Sequence, residues 1–123
     1  MALARTFDMR YGIFKPLLSL LGAGPESSRV ELDDDVLRVR MGWAFRATIP
    51  RTSIMDARPY SRPVASIGVH GWRGKWLVNG AASGLVMLEL EPRARGYVLG
   101  VPVRLRRLLV SMKAPDDLLA ALG

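Results

Sequence analysis

The sequence contains no cysteine, which excludes disulfide cross-links and thiolate metal sites. It has a single histidine, His70, so a metal site or a nucleophilic site that needs several histidines or a cysteine is not expected. The apolar run at residues 16–24 is too short to span a bilayer and is interrupted by a serine and a glycine. Residues 1–9 include both a basic and an acidic side chain, which is not typical of a secretory signal. We therefore expect a cytoplasmic protein that uses no metal and no cofactor.

Acidic residues are few relative to basic ones. Eleven acidic residues oppose eighteen basic ones, which gives a formal net charge of +7, and all but three of the basic residues are arginine. This balance favours an anionic partner, which would be nucleic acid, a lipid surface or a phosphorylated ligand. The alternative is that the arginines only solvate the surface. The length of 123 residues fits a single domain, 1–123, with one hydrophobic core.

The clearest pattern in the chain is the alternation at residues 37–49. The odd positions are all apolar, and the even positions carry no large hydrophobic side chain. Because successive side chains of a strand point to opposite faces, this pattern predicts one buried face and one exposed basic face. Thirteen residues exceed the usual strand length, so we predict a hairpin that turns near Gly42. Pro50 should end its second arm, because proline cannot donate to a ladder.

The remaining segments predict further strands and two short helices. Arg106 and Arg107 lie where the apolar parity of the last strand changes, which predicts a β-bulge there. The apolar helix at 13–21 lacks a charged face, so we expect it to be buried against the barrel or a second subunit rather than on a membrane. The expected strands are 4–11, 30–32, 36–41, 54–60, 67–69, 76–79, 85–91 and 97–112, with a basic turn at 92–96 and a C-terminal helix at 115–122.

Three segments, 36–42, 49–54 and 108–122, resemble bacterial pleckstrin-homology-like (PH-like) domains. They contain a hairpin leading into an Ile-Pro turn, a Val-Ser step in the last strand, and a Pro-Asp start to the final helix where the family more often has Asp-Pro. The resemblance covers 29–122 and leaves 1–28 as an N-terminal strand and short helix extension. It implies a mainly β fold with a C-terminal helix, a partly open barrel of two near-orthogonal antiparallel sheets. Such domains bind phosphoinositides, phosphopeptides or proteins, and bacterial ones often self-associate, so the resemblance implies binding or self-association.

The sharpest candidate binding segment is 71–76. Its two tryptophans, Trp72 and Trp76, could stack on a base or sugar, while Arg73 and Lys75 between them neutralise a phosphate. The alternative is a flexible hairpin connection in which Trp76 belongs to the core and Trp72 packs on a neighbouring loop.

A dense basic run follows near the C-terminus. Arg104, Arg106 and Arg107, with Arg93 and Arg95 before them, could form a second anion site or simply protect a sheet edge.

Two acidic groups have structural interpretations. The aspartates at 33–35 fit a hairpin tip better than a calcium loop, because ligands at alternate positions and a distal glutamate are missing. The glutamates at 89 and 91 should be solvated and paired with arginines across the sheet.

Taken together, these patterns favour a non-enzymatic binding or interaction module that acts by protein–protein contact or self-association. An anionic membrane surface is a secondary possibility. The first alternative is a small basic nucleic-acid-binding protein, and the second is a small-ligand carrier or enzyme with a pocket in its barrel.

Overall fold

The computed structural model describes residues 5–12, 15–22, 24, 27–61 and 68–123. Within them the chain is mainly β and ends in a short helix, as predicted. The elements, in chain order, are β1 (Arg5–Phe7), α1 (Lys15–Leu20), β2 (Ser28–Leu32), β3 (Val36–Met41), β4 (Phe45–Pro50), a 3-10 turn (Arg51–Ser53), β5 (Ile54–Tyr60), β6 (Gly68–Trp72), β7 (Lys75–Asn79), β8 (Leu85–Val98), β9 (Val101–Ser111) and α2 (Pro115–Leu122).

The strands form one curled sheet with the shape of a half-barrel. Its order is β1-β2-β3-β4-β8-β9-β7-β6, and β5 pairs with the first half of β8 while β4 pairs with the last three residues of β8. Beyond β1, Met9 bridges to Met112 and Tyr11 bridges to Gly80, so the N-terminal segment reaches the far side of the curl. In the described part of the chain, no helix is both long and apolar enough to cross a membrane.

One strand pair departs from the antiparallel pattern that we expected. Strand β9 lies between β7 and β8, which are neighbours along the chain but not in the sheet. It therefore pairs antiparallel with β8 and parallel with β7.

The hairpin predicted around Gly42 is confirmed. Strands β3 and β4 pair from Met41 opposite Phe45 to Val36 opposite Pro50, and Pro50 is the last residue of β4. The odd positions of both strands are buried and the even positions exposed, except that Val36 at the start of β3 is half-buried. Trp43 shares the odd parity but lies in the turn and is 64% exposed, because a turn residue belongs to neither face of the sheet.

The predicted turn at 92–96 is wrong. Strand β8 continues to Val98, and the chain reverses at Leu99 and Gly100, whose φ angles are +52° and +81°. Two successive positive φ angles are the geometry of the type I′ turn, which suits the twist of a hairpin. Pro92 lies instead in an irregular stretch of β8, after a cis peptide bond, where no regular ladder needs its missing N–H.

The predicted bulge in the last strand is confirmed. The backbone N–H groups of Arg106 and Arg107 both donate to the carbonyl oxygen of Gly74, at 2.7 and 3.1 Å. The extra residue shifts the parity of β9, so that Leu105 and Leu108 are both fully buried.

The two helices differ in how they pack. In α2, Leu118 is fully buried, and the Arg51 guanidinium donates to the carbonyl oxygen of Ala121. In α1, Leu18 is buried, but Leu20 and the following Leu21 are exposed. Burial of the apolar helix against the barrel is therefore wrong at its C-terminal end, while contact of that end with a second subunit stays a prediction. Residues 13 and 14 of the predicted span lie outside the described residues, as do residue 4 of the first predicted strand and residue 67.

Candidate anion-binding face

Three arginines lie side by side on the exposed face of the sheet. In the strand register, Arg29 of β2 is directly opposite Arg40 of β3, and Arg40 is directly opposite Arg46 of β4. Tyr97 of β8 continues the line, directly opposite Arg46. Residues in register on neighbouring strands share a face, and all three arginines are exposed. We refer to Arg29, Arg40 and Arg46 as the arginine row.

A second line of polar side chains runs beside the row. Arg38 of β3 is opposite Thr48 of β4, while Arg95 of β8 is opposite Arg104 of β9. With the exception of Arg104, these side chains and the arginine row line an open groove of about 890 Å³ on the exposed face of the sheet. We call this the arginine groove; its charged and aromatic lining is Arg29, Glu31, Arg38, Arg40, Arg46, Arg95 and Tyr97.

The positive charge in the groove is only partly balanced by the protein. Arg29 lies 3.6 Å from Glu31, the only carboxylate lining the groove within the described chain. The Arg46 guanidinium lies over the Tyr97 ring, 4.7 Å from its centroid, which is a cation–π contact. No ion pair to Arg40, Arg46 or Arg95 occurs among residues 27–61 and 68–123. Like charges directly opposite each other destabilise a sheet, so the row has an energetic cost that an anion would offset.

The side chain of Arg38 binds the β2–β3 turn. Its guanidinium donates to a carboxylate oxygen of Asp33 at 2.9 Å. The other oxygen of Asp33 accepts the backbone N–H groups of Asp35 and Val36, at 2.8 and 2.9 Å. These backbone hydrogen bonds, from Val36 first and then Asp35, together with the Arg38 contact lower the pKa of Asp33 to about 2. The interpretation of the aspartates as a hairpin tip is confirmed.

The candidate residues Trp72, Arg73 and Lys75 lie at the β6–β7 hairpin. Arg73 and Gly74 form its two-residue turn, with φ angles of +52° and +85°, and Trp72 pairs with Lys75. The side chain of Trp72 lies outside the described residues. Arg73 and Lys75 are exposed, and the carbonyl oxygen of Gly74 holds the turn to β9.

Trp76, on the strand after this turn, packs against the hydrophobic core, as the structural alternative predicted. Its ring lies so close to Gly71 that a Cβ atom there would collide with it. The glycine at position 71 is therefore accounted for by the packing of Trp76.

The three candidate arginines on β9 lie in three different environments. Arg104 is exposed and directly opposite Arg95, but it does not line the arginine groove. Arg106 is exposed near the β6–β7 turn. Arg107 donates to Glu89 at 2.7 Å, and the two residues are directly opposite each other. The expected pairing of Glu89 with an arginine across the sheet is thus confirmed.

The sequence pattern pointed to Arg38, Arg40 and Arg46 as a basic face but did not identify Arg29 or Tyr97 as their neighbours. Both join the site only through strand pairing, and nothing in their local sequence distinguishes them from other surface residues. Among the described residues, no group of three or more histidine, aspartate or glutamate side chains is placed to hold a metal ion.

No family model matches the chain, and no curated protein or solved structure is similar enough to support an inference.

Proposed function

We propose that the protein is a non-enzymatic binding module that engages an anionic, phosphate-bearing partner in the arginine groove. The observation that carries this proposal is the arginine row, in which Arg40 has an arginine directly opposite it on each neighbouring strand. Neighbouring strands lie about 4.8 Å apart, so the row presents three cations over roughly 10 Å. A ligand with several linked phosphates has negative charges at comparable spacing.

The chemistry of the groove supports binding more than catalysis. Arginine keeps its proton throughout the physiological pH range, so it serves neither as general acid nor as general base, but it binds phosphate oxygens in a bidentate manner. The partner is then a molecule or surface with clustered negative charge. Self-association through this face is disfavoured, since two copies would bring like charges together.

A PH-like organisation is part of the same proposal, with the curled sheet viewed as two near-orthogonal halves and α2 as the closing helix. The β3–β4 hairpin, the Ile-Pro turn at Pro50 and the docked α2 support it. We also propose that the protein acts in the cytoplasm, where phosphorylated ligands are abundant.

The experiment that tests the function is titration of the full chain with short-chain polyphosphate. The dissociation constant is measured by calorimetry at several salt concentrations. We expect binding that weakens steadily as salt rises. Each of Arg40→Thr and Arg46→Thr should weaken binding by about tenfold or more, because a hydrogen bond to a charged group contributes about 1.5–3 kcal/mol.

Arg58→Thr is the matched control. Arg58 is an exposed arginine on β5 that pairs with Asp56 at 3.5 Å, outside the groove, and its replacement removes the same unit of charge. If this control weakens binding as much as Arg40→Thr, net charge alone attracts the ligand and the groove is not a site. If wild-type protein does not bind polyphosphate, the proposal is wrong.

The nucleic-acid alternative is distinguished by a second ligand. A single-stranded oligonucleotide offers bases as well as phosphates, and a base could stack on the Tyr97 ring, which lines the groove and has the Arg46 guanidinium over it. If the oligonucleotide binds far more tightly than polyphosphate of equal charge, and Tyr97→Ala removes only that difference, the protein is a nucleic-acid binder.

A further inference from the structure

Exposed apolar side chains are concentrated at one end of the molecule. Two of them follow one another at the end of α1, one lies in the β3–β4 turn, and two belong to the β8–β9 hairpin. They are between 53% and 83% exposed. We call this group the apolar tip; it consists of Leu20, Leu21, Trp43, Leu99 and Val101.

Hydrogen bonds hold the three segments of the apolar tip together. The indole N–H of Trp43 donates to the carbonyl oxygen of Leu21 at 2.5 Å, which ties α1 to the β3–β4 turn. The backbone N–H of Leu99 donates to the carbonyl oxygen of Ala44 at 3.0 Å, which ties the two hairpin turns to each other. The three segments that carry the apolar tip are therefore connected to one another by hydrogen bonds.

The concentration of apolar side chains here is unusual for a solvent-facing surface. Among the described residues, Met55 is the only other large apolar side chain with comparable exposure, and it lies on β5, which pairs with the opposite end of β8. Contiguous exposed apolar groups of this kind mark sites that contact a partner or a membrane.

The apolar tip adjoins the arginine row directly. A cavity of about 310 Å³ lies between them, with Arg40, Arg46 and Tyr97 on one side and Trp43 on the other. The glycines of the two hairpin turns, Gly42 and Gly100, complete its wall. An occupant of the tip must therefore present an apolar region and a negatively charged layer next to each other.

We propose that the apolar tip inserts into the surface of an anionic phospholipid bilayer, with lipid phosphates seated between Arg40 and Arg46. This proposal rests on the proposed function, since it names the source of the phosphates. A bilayer offers acyl chains beneath a phosphate layer, which matches leucine side chains next to guanidinium groups. Tryptophan prefers this interface, where its ring is in the apolar layer and its N–H remains bonded.

Charge argues for a bilayer over a second copy of the chain. Two tips packed against each other would place two arginine rows beside one another, in a protein whose net charge is already +7. An anionic surface neutralises the same groups.

The test is flotation of the full chain with vesicles of phosphatidylcholine alone or mixed with phosphatidylglycerol. We expect association only with the mixed vesicles, and Leu99→Asn should reduce it about tenfold through the loss of one inserted side chain. Asparagine tolerates the positive φ of +52° at this position better than leucine does, so the variant should fold. Val101→Thr serves as a second tip variant that suits a strand.

Met55→Asn is the matched control, because Met55 and Trp43 are equally exposed and only Met55 lies away from the tip. Its association with mixed vesicles should equal that of wild type. Vesicles should also shift the tryptophan emission of wild type to shorter wavelength, and Trp43→Phe should remove most of that shift.

Several outcomes would overturn the proposal. The tip is not an insertion site if Leu99→Asn and Val101→Thr associate like wild type, or if Met55→Asn loses as much. If the wild-type protein does not bind mixed vesicles but binds polyphosphate, the proposed function stands and the bilayer proposal is wrong. If it binds neither, both proposals are wrong. A dimer that Leu99→Asn dissociates, with no vesicle association, would show that a second copy covers the tip.

Discussion

Replacement of Arg40 by threonine should stabilise the protein, although the substitution removes a charged side chain from the centre of the candidate site. Arg40 is directly opposite Arg29 and Arg46, and it has no carboxylate partner in the described chain. Each like-charged cross-strand pair costs about 0.2–1 kcal/mol, so the loss of two pairs should raise the free energy of unfolding by about 0.4–2 kcal/mol.

Arg38→Thr is the natural comparison, since Arg38 lies on the same strand and face, two residues away. It is opposite Glu31 and Thr48 instead of arginines, and it donates to Asp33 at 2.9 Å. The intrinsic preference of threonine for strands is the same at both sites, so it cancels in the comparison. We expect Arg38→Thr to lower the free energy of unfolding, which is the opposite sign.

The assay is urea unfolding of wild type and both variants at low salt and again near 1 M salt. At about 1 M the screening length is about 3 Å, so the difference between the two variants should largely disappear. The reasoning fails if both substitutions shift stability in the same direction at low salt. It also fails if their difference persists at high salt, because the effect would then not be electrostatic.

Three further perturbations test the packing and the turns. Ser111→Ala should lower the free energy of unfolding by about 1–3 kcal/mol in urea titrations, since the buried hydroxyl accepts the N–H of Gly80 and donates to the carbonyl oxygen of Arg10, both at 2.9 Å; a loss within experimental error would contradict this account. Because the folded-state pKa of Asp33 is lowered from 3.8 to about 2, its ionised form stabilises the fold above pH 3.8 and this contribution is lost as the pH falls through about 2. The difference in unfolding free energy between wild type and Asp33→Asn should therefore be largest at neutral pH and shrink near pH 2, whereas a constant difference would exclude the charge as its cause. Gly71→Ala should destabilise by about 1–3 kcal/mol because the new Cβ collides with the Trp76 ring, while Gly12→Ala, whose Cβ would have its nearest neighbour at 3.7 Å, should be nearly neutral by the same titration.

The elements that the sequence predicted correctly depend on short-range rules. The β3–β4 hairpin follows from period-two alternation, and its end follows from the missing N–H of Pro50. The bulge follows from a parity change between Leu105 and Leu108, and α2 follows from a proline and two aspartates ahead of a leucine stripe. Each of these signals is complete within a few residues.

The errors arose where local signals were ambiguous. Pro92 by itself indicates a turn, but a proline is equally compatible with an irregular stretch of a strand. The true turn begins at Leu99, a residue with no turn preference, whose positive φ angle is imposed by the pairing of β8 with β9. Trp43 kept the parity of the core but lies where the chain reverses, so its exposure did not follow from periodicity.

The sequence by itself determined that this protein has strands with a basic exposed face and a short C-terminal helix. Only the tertiary structure decided which arginines stand together, because register between strands depends on contacts between residues distant in the chain. If the register between β2 and β3 shifted by one residue, the side chain of Arg29 would move to the opposite face of the sheet from Arg40. The arginine row would then no longer exist. The apolar tip likewise exists only because the curl of the sheet brings α1 and two hairpin turns to the same end of the molecule.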